Sequence, residues 1–112
     1  MEKISITIPK NPIYIKSIRL FSASVASDLG FDIEKVEDVR VVVSEAINYK
    51  FGDNQDIKIN FKTEEGYLEI EVIGKDKTLD DRALKMRDLI LKELADEVEI
   101  TDESILLKIK AK

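Results

Sequence analysis

The sequence predicts an α+β fold: a two-layer sandwich in which three helices cover one face of a mostly antiparallel sheet of about five strands. Short segments alternate apolar and polar residues, as half-buried strands do, and longer segments repeat apolar residues at helical spacing. These elements follow in the order β-α-α-β-β-α-β-β. Since most consecutive strands are joined by tight turns, we expect antiparallel pairing between them.

The first strand and the first helix lie at the start of the chain. Three isoleucines alternate there with polar residues: Ile4, Ile6 and Ile8. Pro9 then ends the strand. Asn11 and Pro12 form a helix start, and Gly30 forms a helix stop. The predicted first helix therefore spans about residues 12 to 29.

The second helix is predicted from its N-cap and from one periodic face. Asp32 can cap it, and Glu34 places an acid in the first turn, where the helix dipole favours one. The apolar face consists of Val36, Val39, Val43, Ala46 and Ile47. The β-branched run at residues 39–43 prefers a strand by propensity. We give the periodicity and the cap more weight, and predict a helix buried by its neighbours.

Two hairpins and a third helix complete the chain. Turns are predicted at residues 52–54 and 64–66. The first hairpin carries Ile57, Ile59 and Phe61, then Leu68, Ile70 and Val72; the second carries Val98 and Ile100, then Ile105, Leu107 and Ile109. Between the hairpins, Thr78 and Asp81 resemble a capping box. The helix that they open has a predicted apolar face with Ala83, Met86, Ile90 and Leu94.

Composition limits the function. At 112 residues we expect one domain, residues 1–112. The net charge of −5, without a basic stripe, argues against a nucleic-acid partner. The chain contains no cysteine and no histidine, which excludes disulfides, thiolate nucleophiles, an imidazole base and a zinc site. Phosphoryl transfer remains open, because it requires mainly positioning and a metal ion.

The sequence also gives an expectation about location. No apolar run approaches the roughly 20 residues that a membrane helix requires, and the first ten residues lack the pattern of a signal segment. We therefore expect a cytoplasmic protein without a membrane partner.

Two segments carry a resemblance to a known family: VEDVRVVVSEA at residues 36–46 and LADEVEI at residues 94–100. Over nearly its whole length the chain resembles the bacterial anti-sigma-factor serine kinases of the RsbW and SpoIIAB type. These partner-switching proteins have the histidine-kinase-like (GHKL, or Bergerat) ATPase fold. The resemblance implies a homodimer that captures a sigma factor and phosphorylates an antagonist with ATP and magnesium.

The family's first nucleotide motif, Glu-x-x-x-Asn, supplies a catalytic base and a magnesium ligand. Glu45 stands at the position of the base, but Tyr49 stands four residues later, and Asn48 occupies the preceding position. One residue along a helix is a rotation of about 100°. Asn48 therefore lies on a different face from the one that the family uses. If the chain is active, Glu45 is the base and Asn48 the metal ligand.

The other nucleotide motifs also depart from the family pattern. In the adenine motif Asp-x-Gly the two residue types are reversed, as Gly74 and Asp76, the positions that would contact a bound nucleotide. The phosphate motif Gly-x-Gly is replaced by KMRD at residues 85–88, whose Cβ atoms obstruct close backbone approach. The lid between these motifs is reduced to about ten residues. All four nucleotide features are therefore damaged.

Three functions stay open. We favour a regulatory protein that binds a sigma factor or an antagonist without ATP turnover and without a cofactor. The alternative is an active serine kinase that uses ATP and magnesium, and a third is a scaffold unrelated to sigma factors. The candidate residues have structural interpretations too: Glu45 as a helical carboxylate, Asn48 as a helix-end residue, and Gly74 and Asp76 as turn residues. For Lys85 and Arg87 that interpretation is a solvated helix face.

Overall fold

The structure, a computed structural model, describes residues 2–50, 56–75 and 80–111. Its elements follow the predicted order. The strands are β1 (Glu2–Ile8), β2 (Ile57–Glu64), β3 (Tyr67–Ile73), β4 (Glu97–Ile100) and β5 (Ser104–Lys110). The helices are α1 (Ile13–Asp28), α2 (Ile33–Tyr49) and α3 (Asp81–Leu94). The predicted turn at 52–54 and the predicted cap residue Thr78 lie outside the described residues.

The five strands form one sheet in the order β1-β2-β3-β5-β4, and every neighbouring pair is antiparallel. Alternate residues of the three central strands are fully or almost fully buried: Ile57, Ile59, Phe61, Leu68, Ile70, Val72, Ile105, Leu107 and Ile109. They belong to the same core cluster as the buried residues of the helices. The predicted α+β fold, with helices packed on the sheet, is therefore confirmed.

The first helix begins and ends within one residue of its predicted bounds, and the second begins directly after its predicted cap. The Asn11 side chain accepts a hydrogen bond from the amide of Ile13, and the chain turns after α1 at Gly30, whose φ is 87°. The Asp32 carboxylate accepts from the Lys35 amide and caps α2. The β-branched run is helical, since three of its valines are completely buried: Val39, Val42 and Val43. No helix in the described part of the chain is long and apolar enough to cross a membrane.

The third helix differs from the prediction in its cap and its buried face. Its N-cap is Asp80, whose carboxylate accepts a hydrogen bond from the Ala83 amide at 2.8 Å. Arg87 and Leu91 are its buried residues, whereas Met86 is 53% exposed. The predicted apolar face was therefore wrong at Met86. The helix turns Arg87 inwards because its guanidinium packs on an aromatic ring of α2.

Candidate functional site

The residues of the first nucleotide motif lie at the C-terminal end of α2, where α2 meets α3. Glu45, Asn48 and Tyr49 are all half-buried there. The Tyr49 hydroxyl donates a long hydrogen bond of 3.4 Å to the Ala83 carbonyl oxygen. The Arg87 guanidinium lies 5.4 Å from the centroid of the Tyr49 ring, within the range of a cation–π contact. Tyr49, at the position of the family's metal ligand, thus joins the two helices.

The burial of Tyr49 and the charges around it shift the pKa of its phenol. Burial raises the pKa of the Tyr49 phenol, and the negative charges of Glu45 and Asp88 raise it further. The positive charge of Arg87 acts on the same pKa in the opposite direction. Arg87 also donates through Nε to the Asp88 carboxylate at 3.2 Å. Glu45 therefore lies in a small charged cluster around a neutral phenol, which differs from the neighbourhood of a metal-bound triphosphate.

The segment that replaces the phosphate motif lies inside α3. Residues 85–88 follow the first four residues of the helix, so their amides donate within it. Lys85 is exposed, as the solvated-face interpretation predicts, but Arg87 is only 6% exposed and that interpretation was wrong for it. Hydropathy alone does not predict that an arginine is buried. A signal was available in the spacing, because Arg87 stands four residues before the apolar Leu91.

The N-terminus of α3 carries its own acids, which disfavour an anion there. The Ala83 amide donates a hydrogen bond to the Asp80 carboxylate, and the Leu84 amide donates one to the Asp80 main-chain carbonyl. Asp81 adds a second negative charge in the first turn. The amides that would meet a phosphate at a helix start are therefore partly occupied, and the local charge repels one.

Gly74 follows β3 and packs against the end of α2. Its amide donates to the Glu103 carbonyl at 2.8 Å. A Cβ at this position would stand 2.9 Å from the Lys50 carbonyl oxygen. The structure therefore explains Gly74 by the close approach of the Lys50 main chain. Asp76, the other candidate of the adenine motif, lies outside the described residues.

Lys50, at the C-cap of α2, is a buried charged residue that was not among the predicted site residues. It is 2% exposed, and its ammonium group donates to the Thr101 carbonyl at 2.8 Å. This contact ties the end of α2 to the turn between β4 and β5. No local pattern predicts this contact, because the two residues are 51 positions apart in the chain.

The described residues contain no group of three or more histidine, cysteine, aspartate or glutamate side chains placed to hold a metal ion. Of the residues proposed from the sequence, Asn48 is the metal candidate and Glu45 the candidate base, and both lie at the junction of α2 and α3.

Three helices on an open antiparallel sheet of five strands are consistent with the histidine-kinase-like ATPase fold. The chain is similar to curated proteins named serine-protein kinase RsbW. That of Oceanobacillus iheyensis is 34% identical over 88 residues, which cover 73% of this chain and 56% of the relative. The corresponding values are 35% over 88 residues for Bacillus pumilus (71% and 54%) and 32% over 83 residues for Bacillus subtilis (69% and 52%).

The chain therefore belongs to the RsbW-like family of serine-protein kinases, and the resemblance noted from the sequence is confirmed. It spans about half the length of the curated relatives that it matches. No protein-family model matches the chain.

Proposed function

We propose that this chain is an anti-sigma-factor-like regulator in a bacterial partner-switching system. It acts in the cytoplasm as a homodimer, and it binds a sigma factor or an antagonist protein through protein contacts, without a cofactor or ATP turnover. The observation that carries the absence of turnover is Tyr49, which stands where the family places its metal ligand and joins α2 to α3 through Ala83 and Arg87.

Three further features support the loss of nucleotide binding. The amides of residues 85–88 are inside a helix and cannot turn towards a phosphate. Asp80 and Asp81 place two carboxylates at the start of that helix. Gly74 packs against the Lys50 main chain, where an added Cβ would stand 2.9 Å from the Lys50 carbonyl oxygen, so packing alone accounts for this glycine. These features lie at different positions in the chain, so restoring one of them leaves the others in place.

The helical layer supplies the surface for a protein partner. The large apolar side chains that are exposed in the described ranges all lie on helices: Ile13, Tyr14, Leu20, Ile33, Val41, Met86 and Leu89. The open face of the sheet instead pairs its charges, with Glu69 between Lys62 and Lys108. Exposed apolar side chains amid polar ones are typical of protein contact surfaces. We therefore assign partner binding to the helices.

The name of the relatives favours a second candidate, an active ATP-dependent serine kinase that phosphorylates an antagonist. In that case Glu45 is the base, Asn48 holds magnesium, and Gly74 and Asp76 contact the nucleotide. Asn48 would then have to rotate by about 100° about the helix axis to reach the position of Tyr49.

Thermal unfolding with and without excess magnesium-ATP separates the two candidates. A ligand at about 100 times its dissociation constant adds about 2.7 kcal/mol to the free energy of unfolding, which raises Tm by several degrees in a domain of this size. We expect no rise in Tm. A rise that Glu45→Ala or Asn48→Ala abolishes would show nucleotide binding at this site, and would favour the kinase instead.

Partner binding is tested by titrating the labelled chain with purified sigma factors and antagonist proteins from the same bacterium. We expect one of them to bind without ATP. Leu89→Glu, at a side chain that is 63% exposed on α3, should weaken binding, and Lys62→Glu on the open sheet face should not. Equal effects of the two substitutions, or no binding by any candidate, would contradict the proposal.

A further inference from the structure

Helix α3 carries apolar side chains on two faces, and the fold fully buries only one of them. The inner face holds Arg87 and Leu91, the buried residues of the helix. The residues of the second face, here called the outer face of α3, are Ala83, Met86, Leu89 and Ile90. Met86 and Leu89 are 53% and 63% exposed, and the other two are half-buried. An apolar face that the core does not use is available to a partner.

The outer face of α3 forms one continuous row along the helix. Its members recur every three or four residues, so neighbouring side chains lie on successive turns. The helix has 14 residues, a length of about 21 Å, and the row covers about two of its turns. A row of this shape matches the contact that one helix makes when it packs along another.

The position of α3 in the fold leaves room for such a helix. α3 packs on α2 and on β4, whereas α1 packs on α2. β4 is the last strand of the sheet, so α3 lies at the margin of the helical layer. A partner helix can therefore pack along the outer face of α3 without displacing a described element.

Basic side chains lie beside the apolar row. Arg82 and Lys85 line one open cavity of about 380 Å³ together with Met86 and Leu89. Lys92 stands seven residues after Lys85, a rotation that returns to nearly the same side of the helix, and all three bases are exposed. The outer face thus combines an apolar row with a positively charged flank.

The charges favour an acidic protein partner over a membrane surface. The chain carries a net charge of −5, so it repels an acidic partner as a whole and attracts one only where bases gather. The same net charge opposes an anionic membrane, as do Asp81 and Glu93 near the two ends of the helix. A partner strand would need free main-chain groups, which the side of a helix does not offer.

We propose that the outer face of α3 binds an acidic amphipathic helix of the sigma factor or antagonist. This inference rests on the proposed function and names the docking site and the chemistry of the partner. The apolar side of the partner helix lies on Met86 and Leu89, and its acids face Lys85 and Lys92. The flexible thioether of Met86 can adapt to the side chains that cover it.

Methyl NMR tests the site directly. The chain contains two methionines, so a sample labelled with ¹³C at the methionine methyl groups gives a simple spectrum, in which Met86→Leu identifies the Met86 signal. Unlabelled sigma factor or antagonist that binds in the titration should shift or broaden this signal. A partner that binds and leaves the Met86 signal unchanged would overturn the α3 site, while the regulatory function would stand.

Charge reversal tests the chemistry of the partner. Lys85→Glu combined with Lys92→Glu should weaken binding by about fivefold to a hundredfold, because two attractions become repulsions. Affinity of the wild type should also fall more steeply with salt than that of the double variant. Lys16→Glu combined with Lys58→Glu changes the net charge equally at exposed sites on α1 and β2, and should have a much smaller effect.

The outcomes separate this inference from the proposed function. Equal losses in the two double variants would show attraction to the whole chain and overturn the α3 site. If Leu89→Glu weakens binding and the α3 charge variant does not, the partner is not acidic and this inference fails alone. Binding to phosphatidylglycerol vesicles that the α3 charge variant abolishes would assign the face to a membrane and overturn it. Absence of binding by every sigma factor and antagonist would overturn both proposals.

Discussion

The guanidinium group of Arg87 lies 5.4 Å from the centroid of the Tyr49 ring, so one aromatic residue of α2 and one basic residue of α3 hold these helices together. The Tyr49 hydroxyl adds a contact to the Ala83 carbonyl. In the family pattern the position of Tyr49 belongs to a magnesium ligand. Here the same position contributes to the packing of the two helices.

Replacing Tyr49 by asparagine restores the spacing Glu-x-x-x-Asn but should not restore nucleotide binding. Residues 85–88 remain helical and Asp80 still caps α3, so no phosphate site is recreated. The lost ring contacts should lower the free energy of unfolding by about 1–3 kcal/mol. Urea unfolding measures the loss, and isothermal titration with magnesium-ATP measures binding. Measurable ATP affinity in Tyr49→Asn would show that this single position controls the site.

The stability of the chain should fall above roughly pH 10 in a way that depends on Tyr49. Its phenol has a raised pKa in the folded chain, chiefly through burial and then through the charge of Glu45. As pH rises, the unfolded chain loses this proton first, so unfolding becomes more favourable.

Tyr49→Phe removes that titration and keeps most of the packing. The free energy of unfolding of the wild type should therefore decrease relative to Tyr49→Phe between pH 9 and pH 11. Tyr67 also has a raised pKa, through its hydrogen bond with Glu64, but it is present in both proteins and cancels from the difference. If the free energies of unfolding of the two proteins change in parallel over this pH range, the raised pKa of Tyr49 is contradicted.

Most of the fold could be predicted from the sequence because its elements obey local rules. Asp32 caps α2 as expected, and Gly30 ends α1 with a positive φ that other residues rarely adopt. The alternation of apolar residues in the hairpins decides which strand face is buried. Periodicity also overruled β propensity in α2, whose valines are buried by neighbouring elements.

The site was less predictable because its contacts join residues far apart in the chain. The sequence shows that Asn48 and Tyr49 break the motif, but not that Tyr49 reaches Ala83, 34 residues later. It offers a turn as the reason for Gly74, whereas the structure gives the approach of Lys50. Such contacts depend on how elements pack, which local pattern does not encode.

Gly74 and Gly66 should respond differently to substitution. At Gly74 a Cβ would stand 2.9 Å from the Lys50 carbonyl oxygen, so Gly74→Ala and Gly74→Asn should both cost about 1–3 kcal/mol. At Gly66, whose φ is 88°, an added Cβ would have no neighbouring atom within 4 Å, so only backbone strain opposes a side chain. Gly66→Ala should cost about 1 kcal/mol, and Gly66→Asn less, because asparagine tolerates that region. Urea unfolding of the four variants measures these losses of stability. If Gly74→Asn is clearly less destabilising than Gly74→Ala, the clash with the Lys50 carbonyl is contradicted.

Substitution should lower the free energy of unfolding more at Arg87 than at Met86, which is the reverse of what hydropathy suggests. Met86 is 53% exposed on α3, so Met86→Gln removes little buried surface and should change the free energy of unfolding by less than about 0.5 kcal/mol. Arg87 is 6% exposed and contacts both the Tyr49 ring and Asp88. Arg87→Gln removes the charge and the stacking plane together, and should cost about 1–3 kcal/mol.

Arg87→Lys provides the matched control for the guanidinium plane, since it keeps the positive charge and loses the flat group that stacks on Tyr49. It should recover only part of the stability lost in Arg87→Gln. In a Tyr49→Leu background, which has no ring to stack on, arginine and lysine at position 87 should differ much less. Urea unfolding of these variants measures the coupling between the two residues. If the difference between arginine and lysine is the same with and without the Tyr49 ring, the contact between Arg87 and Tyr49 does not hold α2 and α3 together.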